Sequence, residues 1–162
     1  MSLQLMSLVT PVAPWTVVVD EDGVVVASGF ASIDDTVARL TPDKQATVRR
    51  VGGSGPVSAA MYDYLAGDAA ALEAVEVRQP GGPFQQRVWQ VMRQIPAGQT
   101  WSYGQLAAKT GRASATRAVG TACARNLVAP FVPCHRVVRS DGSLGGYAYG
   151  LDVKRWLLDL ER

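Results

Sequence analysis

The sequence predicts an α/β protein in two parts: a small N-terminal α/β domain over residues 1–80 and a mostly helical C-terminal domain over residues 81–162. Three observations lead to this prediction. The first part contains both β-branched runs and helical patterns. The second part contains mainly helical patterns. Between them, the segment Gln79-Pro80-Gly81-Gly82-Pro83 cannot continue a regular element. A chain of 162 residues with 48% hydrophobic residues can bury a sizeable core.

The N-terminal domain begins with a predicted β-hairpin. Residues 15–19 and 24–30 are rich in valine, and Asp20-Glu21-Asp22-Gly23 between them is a turn signal. Residues 33–40 and 57–66 have the spacing of helices, and residues 75–78 alternate apolar with charged side chains as a strand does.

The C-terminal domain is predicted to be helical at its start and its end. From Phe84 to Ile95 the apolar positions fall on one helical face, and Pro96-Ala97-Gly98 ends that helix. Ser102 followed by Gln105 is a capping box, which predicts a helix from Tyr103 to Gly111. A final helix has its buried face at Val153, Trp156, Leu157 and Leu160.

A further helix, over residues 114–125, has an unusual outer face. Small residues surround a single arginine there, where long polar side chains are the norm; the face consists of Thr116, Arg117, Gly120, Thr121 and Ala124. Together with the preceding helix it forms a candidate helix-turn-helix, whose second helix would meet DNA. The alternative is a helix pair packed in a core, where small residues ease close contact.

Charge is distributed unevenly between the two parts. Residues 1–80 carry 5 Lys and Arg against 10 Asp and Glu, a net −5, and residues 81–162 carry 11 against 4, a net +7. The second part is therefore the one suited to bind phosphates, provided that the chemistry lies there too.

Several classes of protein are disfavoured. No stretch is apolar for long enough to span a bilayer, and residues 1–10 lack the pattern of a signal peptide, so we expect a cytoplasmic protein that binds no membrane. Two cysteines and one histidine cannot form a structural zinc site of the usual kinds. We expect free thiols, no metal and no cofactor.

The candidate reactive group is Cys134, in the segment Pro133-Cys134-His135-Arg136-Val137-Val138. Pro130 and Pro133 favour a stiff, extended approach to it. A thiolate is a soft nucleophile suited to accept an alkyl carbon, and the only histidine, His135, is placed to take the thiol proton directly or through a water. The alternative for a lone cysteine is a small buried apolar residue.

Two further features accompany this segment. Ser140-Asp141-Gly142 predicts a tight turn, with a hairpin wing formed by residues 136–139 and 143–147, and the aromatic loop that follows could close over a planar base. Glu161 lies four residues after Leu157 and should point with the buried helix face. A carboxylate there needs a cationic or donor partner, for which His135 is suitable; the alternative is a frayed, solvated terminus.

The segment Pro133 to Val138, preceded by Asn126, resembles the active-site signature of O6-alkylguanine-DNA alkyltransferases. The resemblance covers most of the second part of the chain. It extends through Phe84-Gln85-Gln86-Arg87-Val88-Trp89, Ser102-Tyr103, Arg117-Ala118-Val119-Gly120 and Lys154-Arg155-Trp156-Leu157-Leu158. It implies a ribonuclease H-like N-terminal domain and a winged helix-turn-helix-like C-terminal domain.

The resemblance also implies a role for each candidate residue. Cys134 would be the alkyl acceptor, His135 would be its base through a water, and Glu161 would polarise His135. Asn126 would brace the reactive segment. Tyr103 would rotate the target phosphate and help protonate guanine. Arg117 would fill the gap left by a flipped base, with Thr116, Gly120 and Thr121 in the minor groove. The substrate pocket would include Val137, Gly146, Tyr147 and Ala148.

The implied activity is direct, single-turnover transfer of an alkyl group from O6-alkylguanine, and also from O4-alkylthymine, in double-stranded DNA. We expect a monomer. This chain has Ala148 where members often have serine, and Asn126-Leu127 where many have Asn-Pro. Two other classes remain possible from the residues alone: a winged-helix regulator without reactivity, and a cysteine hydrolase.

Overall fold

The computed structural model describes residues 2–50 and 55–162, which form two compact units. The first unit comprises Met1–Gln79 with Leu127–Phe131, and the second comprises Pro80–Asn126 with Val132–Arg162. A division at one point of the chain does not describe this arrangement, because five residues from the second half belong to the first unit. The fold class is α/β, as predicted.

The first unit contains a four-stranded mixed sheet in the order β3-β2-β1-β4. β1 pairs antiparallel with β2 and parallel with β4, and β2 pairs antiparallel with β3. Its elements are β1 (Leu3–Leu8), β2 (Trp15–Val19), β3 (Val25–Gly29), α1 (Ile33–Ala38), α2 (Pro42–Gln45), β4 (Val48–Arg50) and α3 (Pro56–Leu65). The predicted hairpin and both predicted helices are confirmed, and the strand predicted over residues 75–78 is reduced to a single bridge between Val77 and Val25.

Successive side chains of a strand point to opposite faces of the sheet, and here both faces are covered. On one face Leu3, Leu5 and Val18 pack in an apolar cluster with Leu40. On the other, Trp15 is fully buried and its ring lies 5.6 Å from Phe30 and 5.9 Å from Tyr64.

Residues 127–131 join the first unit through backbone pairing and aromatic packing. The Ser28 amide donates to the Leu127 carbonyl at 2.8 Å, and the Ser28 hydroxyl donates to the Ala129 carbonyl at 2.6 Å. Phe131 lies 6.0 Å from the Trp15 ring. The residues that lead towards the reactive segment are therefore fixed to the sheet.

The second unit is built from four helices and a two-stranded parallel sheet. Its elements are α4 (Pro83–Met92), β5 (Trp101–Ser102), α5 (Tyr103–Lys109), α6 (Thr116–Ala124), a single 3₁₀ turn (Cys134–Arg136), β6 (Val137–Val138) and α7 (Leu151–Leu160). β5 pairs with β6. The Ser102 hydroxyl accepts from the Gln105 amide at 3.0 Å, and the Gln105 side chain accepts from the Ser102 amide at 2.8 Å. This confirms the capping box that starts α5.

Packing of α4 against α6 depends on a close backbone approach. The Trp89 indole donates to the Ala122 carbonyl at 2.9 Å. A Cβ at Gly81 would lie 2.7 Å from the Trp89 ring, so only glycine fits just ahead of α4. The apolar face predicted for α4 is confirmed: Val88, Trp89, Val91 and Met92 are buried, and each contributes roughly 1.5–3 kcal/mol of burial free energy.

The predicted hairpin wing does not form two strands. The turn itself is present, since the Gly142 amide donates to the Arg139 carbonyl at 2.9 Å, but residues 143–147 have no strand structure. The physical reason lies in α7, because Lys154 takes the carbonyls of Leu144 and Gly146 as hydrogen-bond acceptors. Among the described residues, no helix is long and apolar enough to cross a membrane.

Candidate active site

Cys134 lies at the start of the 3₁₀ turn and faces a cavity of about 260 Å³. Asn126 fixes the Cys134 side chain. Its amide Nδ2 donates to the Val132 carbonyl at 2.8 Å and to Cys134 Sγ at 3.3 Å. Asn126 is itself 3% exposed. The thiol is therefore fixed in position while its open side faces the cavity.

The cavity brings together most of the residues predicted for the pocket. Its lining is Tyr103, Gly120, Cys123, Ala124, Cys134, Gly146, Tyr147 and Ala148. Val137 is not among these residues; it is fully buried in β6, where it pairs with Trp101. Gly145 has a φ of +71°, and a Cβ there would lie 3.3 Å from Tyr103 Oη, so the loop packs closely on this tyrosine.

His135 points away from solvent and binds Glu161. Its Nε2 lies 2.8 Å from Glu161 Oε2, and both side chains are essentially unexposed. Burial lowers the pKa of His135, although the neighbouring carboxylate acts in the opposite direction. At neutral pH the imidazole is neutral. Because an ionised carboxylate only accepts hydrogen bonds, Nε2 carries the ring hydrogen and Nδ1 keeps its lone pair.

Arg136 completes this buried cluster. Its Nε donates to Glu161 Oε1 at 2.8 Å and its second terminal nitrogen donates to Oε2 at 3.0 Å, which is a bidentate pair. The remaining terminal nitrogen donates to the Ile95 carbonyl at 2.9 Å. Burial alone would raise the pKa of Glu161. The hydrogen bonds from His135 and Arg136, together with the charge that His135 gains when it is protonated in acid and the permanent charge of Arg136, outweigh burial and lower the pKa to about 2. Glu161 is therefore ionised, and the frayed terminus is excluded.

Lys154 is a fully buried lysine beneath the pocket loop. Its ammonium group donates to the carbonyls of Val137, Leu144 and Gly146, which uses all three donors. Burial lowers the pKa of Lys154, and the electrostatic effect of the neighbouring Cys134 and Cys123 acts against that shift. This side chain fixes the backbone that forms one wall of the cavity.

The predicted DNA-facing helix presents the expected surface. Thr116, Arg117 and Thr121 are exposed, and Gly120 is half-buried at the edge of the cavity. Ala118 is exposed too, because α6 buries only a narrow stripe around Val119 and Ala122. The cavity and the bare helix face are thus contiguous at Gly120.

Tyr103, the first residue of α5, lines the same cavity. Burial raises its pKa, and the two neighbouring cysteines act in the same direction. The phenol therefore keeps its proton and is a hydrogen-bond donor towards the cavity.

Sequence reasoning missed three residues of this site. Arg136 and Lys154 were named only within the motifs that carry the resemblance, and no role in the site was given to Cys123. A signal existed for the two cations: Arg136 directly precedes the apolar pair Val137-Val138, and Lys154 lies three positions before the buried Leu157 on the same helix face.

Comparison with known proteins gives consistent results. The family model described as the DNA binding domain of 6-O-methylguanine DNA methyltransferase matches residues 83–162. The methylated-DNA–protein-cysteine methyltransferase of Salmonella typhimurium is 41% identical over 155 residues, which cover 93% of this chain and 91% of that protein. Its counterpart in Mycobacterium leprae is 48% identical over 99 residues, covering 61% of this chain and 59% of the relative.

Solved structures agree with this result. The Mycobacterium tuberculosis O6-methylguanine methyltransferase superposes with a TM-score of 0.78 at 32% identity, covering 98% of this chain and 92% of that one. Mycobacterium tuberculosis OGT in complex with DNA has a TM-score of 0.77 at 34% identity and the same coverage. The matches define a class, the DNA-repair methyltransferases. Within that class, the chain belongs to the methylated-DNA–protein-cysteine methyltransferase family.

Proposed function

We propose that this protein repairs double-stranded DNA by transferring an alkyl group from O6 of guanine to Cys134, once per molecule. The observation that carries the proposal is the cavity lined by both Cys134 and Tyr103, with a buried His135–Glu161 pair beside it. O4-alkylthymine has the same alkyl–oxygen bond and is proposed as a second substrate. DNA as the substrate also leads us to propose a cytoplasmic location.

The chemistry follows from the positions of the groups. His135 Nδ1 has no hydrogen-bond partner among the described residues. It would accept the Cys134 proton through a water, with Glu161 holding the ring in the required tautomer. The Cys134 sulfur then attacks the alkyl carbon, a sulfur–carbon bond forms, and the carbon–O6 bond breaks with its electrons on guanine. Tyr103 would donate a hydrogen bond to the leaving guanine anion, which takes up one proton, balancing the one removed from Cys134, to become guanine.

A thioether has no route back to a thiol in this site, so transfer ends after one event. The protein is in that sense both catalyst and acceptor. Cys134 is only 8% exposed, so a stacked guanine cannot reach its sulfur and the base must leave the helix. Unstacking costs a few kcal/mol, which a weakened lesion pair reduces.

The exposed face of α6 is proposed to enter the minor groove. Small residues at Gly120 and Thr121 allow close backbone approach, and Arg117 would occupy the space left by the flipped base. Such contacts read shape more than base identity, so binding should depend little on sequence and weaken with salt. We propose that the protein acts as a monomer.

The proposal is tested by titrating the protein against a duplex with a radiolabelled O6-methylguanine. The label should move to protein and stop at one equivalent, and Cys134→Ser should accept none while retaining DNA binding. Continued turnover would indicate a hydrolase. DNA binding without any transfer would indicate a regulator.

A further inference from the structure

The cavity holds a second thiol that the proposed mechanism does not use. Cys123, near the end of α6, lines the same space as Cys134. Asn126 connects the two positions, because its backbone amide donates to the Cys123 carbonyl at 3.3 Å while its side chain contacts Cys134 Sγ at 3.3 Å. Neither cysteine forms a disulfide in the structure. Together they form a dithiol site around one cavity of about 260 Å³.

The electrostatics of this site differ before and after Cys134 reacts. Burial raises the pKa of Cys123, and the negative charge of Cys134 raises it further. Cys123 is therefore a protonated thiol while Cys134 is the nucleophile. The second contribution ends when Cys134 becomes neutral, whereas the Lys154 charge, which favours the Cys123 thiolate, remains.

A cysteine poised to attack carbon is also open to small oxidants. Hydrogen peroxide converts a thiolate to a sulfenic acid, and further oxidation to sulfinic and sulfonic acids is not reversed by ordinary thiols. For a protein with a single acceptor sulfur, such over-oxidation would be a permanent loss. A neighbouring thiol prevents it by forming a disulfide.

We propose that Cys123 is a resolving thiol that protects Cys134 from peroxide. The Cys134 thiolate attacks peroxide and becomes a sulfenic acid as hydroxide leaves. The Cys123 sulfur then attacks the Cys134 sulfur, a disulfide forms, and the sulfenic hydroxyl leaves as water with the Cys123 proton. A thiol reductant restores both cysteines. The protective consequence rests on the proposed function; the thiol chemistry does not.

This step makes a geometric demand. A disulfide brings two sulfurs to about 2 Å, so both side chains must turn into the shared cavity. Cys123 and Cys134 both border that space, and Ala124, Gly146 and Ala148 around it have small side chains or none. Tyr103 and Tyr147 line the same cavity, so a direct crosslink between the two sulfurs is the measurement that tests this demand.

The test compares wild type with Cys123→Ser and Cys123→Ala after exposure to hydrogen peroxide. Intact mass and non-reducing peptide mapping should show that wild type loses two hydrogens and gains a Cys123–Cys134 linkage. Each variant should instead gain oxygen on Cys134. After reduction, wild type should recover the methyl-transfer capacity that it had before peroxide. The fraction of initial capacity recovered by each variant should be roughly tenfold smaller, because sulfinic and sulfonic acids are not reduced by thiols. Equal recovery in wild type and variants, or no linked peptide, would overturn the proposal.

A second measurement needs no variant to fold. Dibromobimane, which becomes fluorescent when both of its ends react with thiols, should crosslink Cys123 to Cys134 in the native wild-type protein. Absence of that crosslink would contradict a shared dithiol site. Because disulfide mapping and dibromobimane crosslinking need no DNA, a disulfide without methyl transfer would count against the proposed function alone, and methyl transfer without a disulfide against this inference alone.

Discussion

Glu161 Oε2 lies 2.8 Å from His135 Nε2, and these two buried side chains are separated by 26 residues in the chain. This contact fixes which ring nitrogen carries the hydrogen and leaves the other with its lone pair. The same carboxylate binds Arg136 in bidentate fashion. One residue at the end of α7 thus neutralises a buried cation and orients the proposed base.

Replacing Glu161 by glutamine should destabilise the protein by about 3–5 kcal/mol, because the Arg136 guanidinium would stay buried without its counter-charge. Urea unfolding measures this change. The control is Asp159→Asn, since Asp159 pairs only at the surface with Arg162 and should change stability by less than about 1 kcal/mol. Equal effects of the two substitutions would argue against the buried pair.

Stability should fall with acid in two separate pH ranges. His135 has a lowered pKa in the folded state, so below its ordinary value of 6.5 the unfolded chain binds more protons and the folded state loses free energy. Glu161 has a pKa lowered to about 2, so its contribution is present above its ordinary value of 4.5 and is lost between there and about 2.

The free energy of unfolding, measured from pH 7 to pH 2, checks these ranges. Because the chain has one histidine, His135→Gln should remove the slope between pH 6.5 and the start of the carboxylate range. An unchanged slope in that variant would mean that His135 titrates normally in the folded protein.

Replacing Lys154 by methionine should lower stability by roughly 2–4 kcal/mol and weaken binding of a free O6-benzylguanine base, since the carbonyls of Leu144 and Gly146 would lose their donor. Arg155→Met on the same helix is the matched control, because Arg155 pairs only with the exposed Asp152. Unfolding and single-turnover kinetics report the two effects. Equal behaviour of both variants would show that Lys154 does not fix the pocket loop.

Replacing Arg117 by alanine should slow repair in duplex DNA at least about tenfold, corresponding to about 1.4 kcal/mol, because the vacated base position would no longer be filled. Reaction with free O6-benzylguanine needs no flipping and should change by less than about twofold. Arg125→Ala, at the other end of α6 and also exposed, is the control. Slowing of both reactions to the same extent would refute the role given to Arg117.

Local signals were sufficient for much of the fold. The capping box at Ser102 and the turn at Asp20 to Gly23 were predictable because each depends on residues a few positions apart. β1 was not predicted, since its pairing with β4 joins Leu3 to Val48. Residues 127–131 were assigned to the wrong unit for a similar reason: their partner Ser28 lies about a hundred residues away.

Within the candidate site, the cavity-facing cysteine and the histidine beside it could be singled out from the sequence, but the buried cations could not. Arg136 and Lys154 are buried only because Glu161 and three backbone carbonyls meet them in the folded unit. The prediction of a hairpin wing was wrong because the Leu144 carbonyl accepts a hydrogen bond from Lys154 where pairing with a strand was expected. A charged side chain is expected to be exposed unless a buried partner for it is known, and the sequence does not show that partner.

The most direct measurement of the central claim is peptide-level mass spectrometry after mixing the protein with a duplex that contains O6-methylguanine. The account predicts one added methyl group, on the sulfur of Cys134 and on no other residue, with the duplex restored to guanine. A methyl group on Cys123, or a restored duplex with unmodified protein, would contradict it.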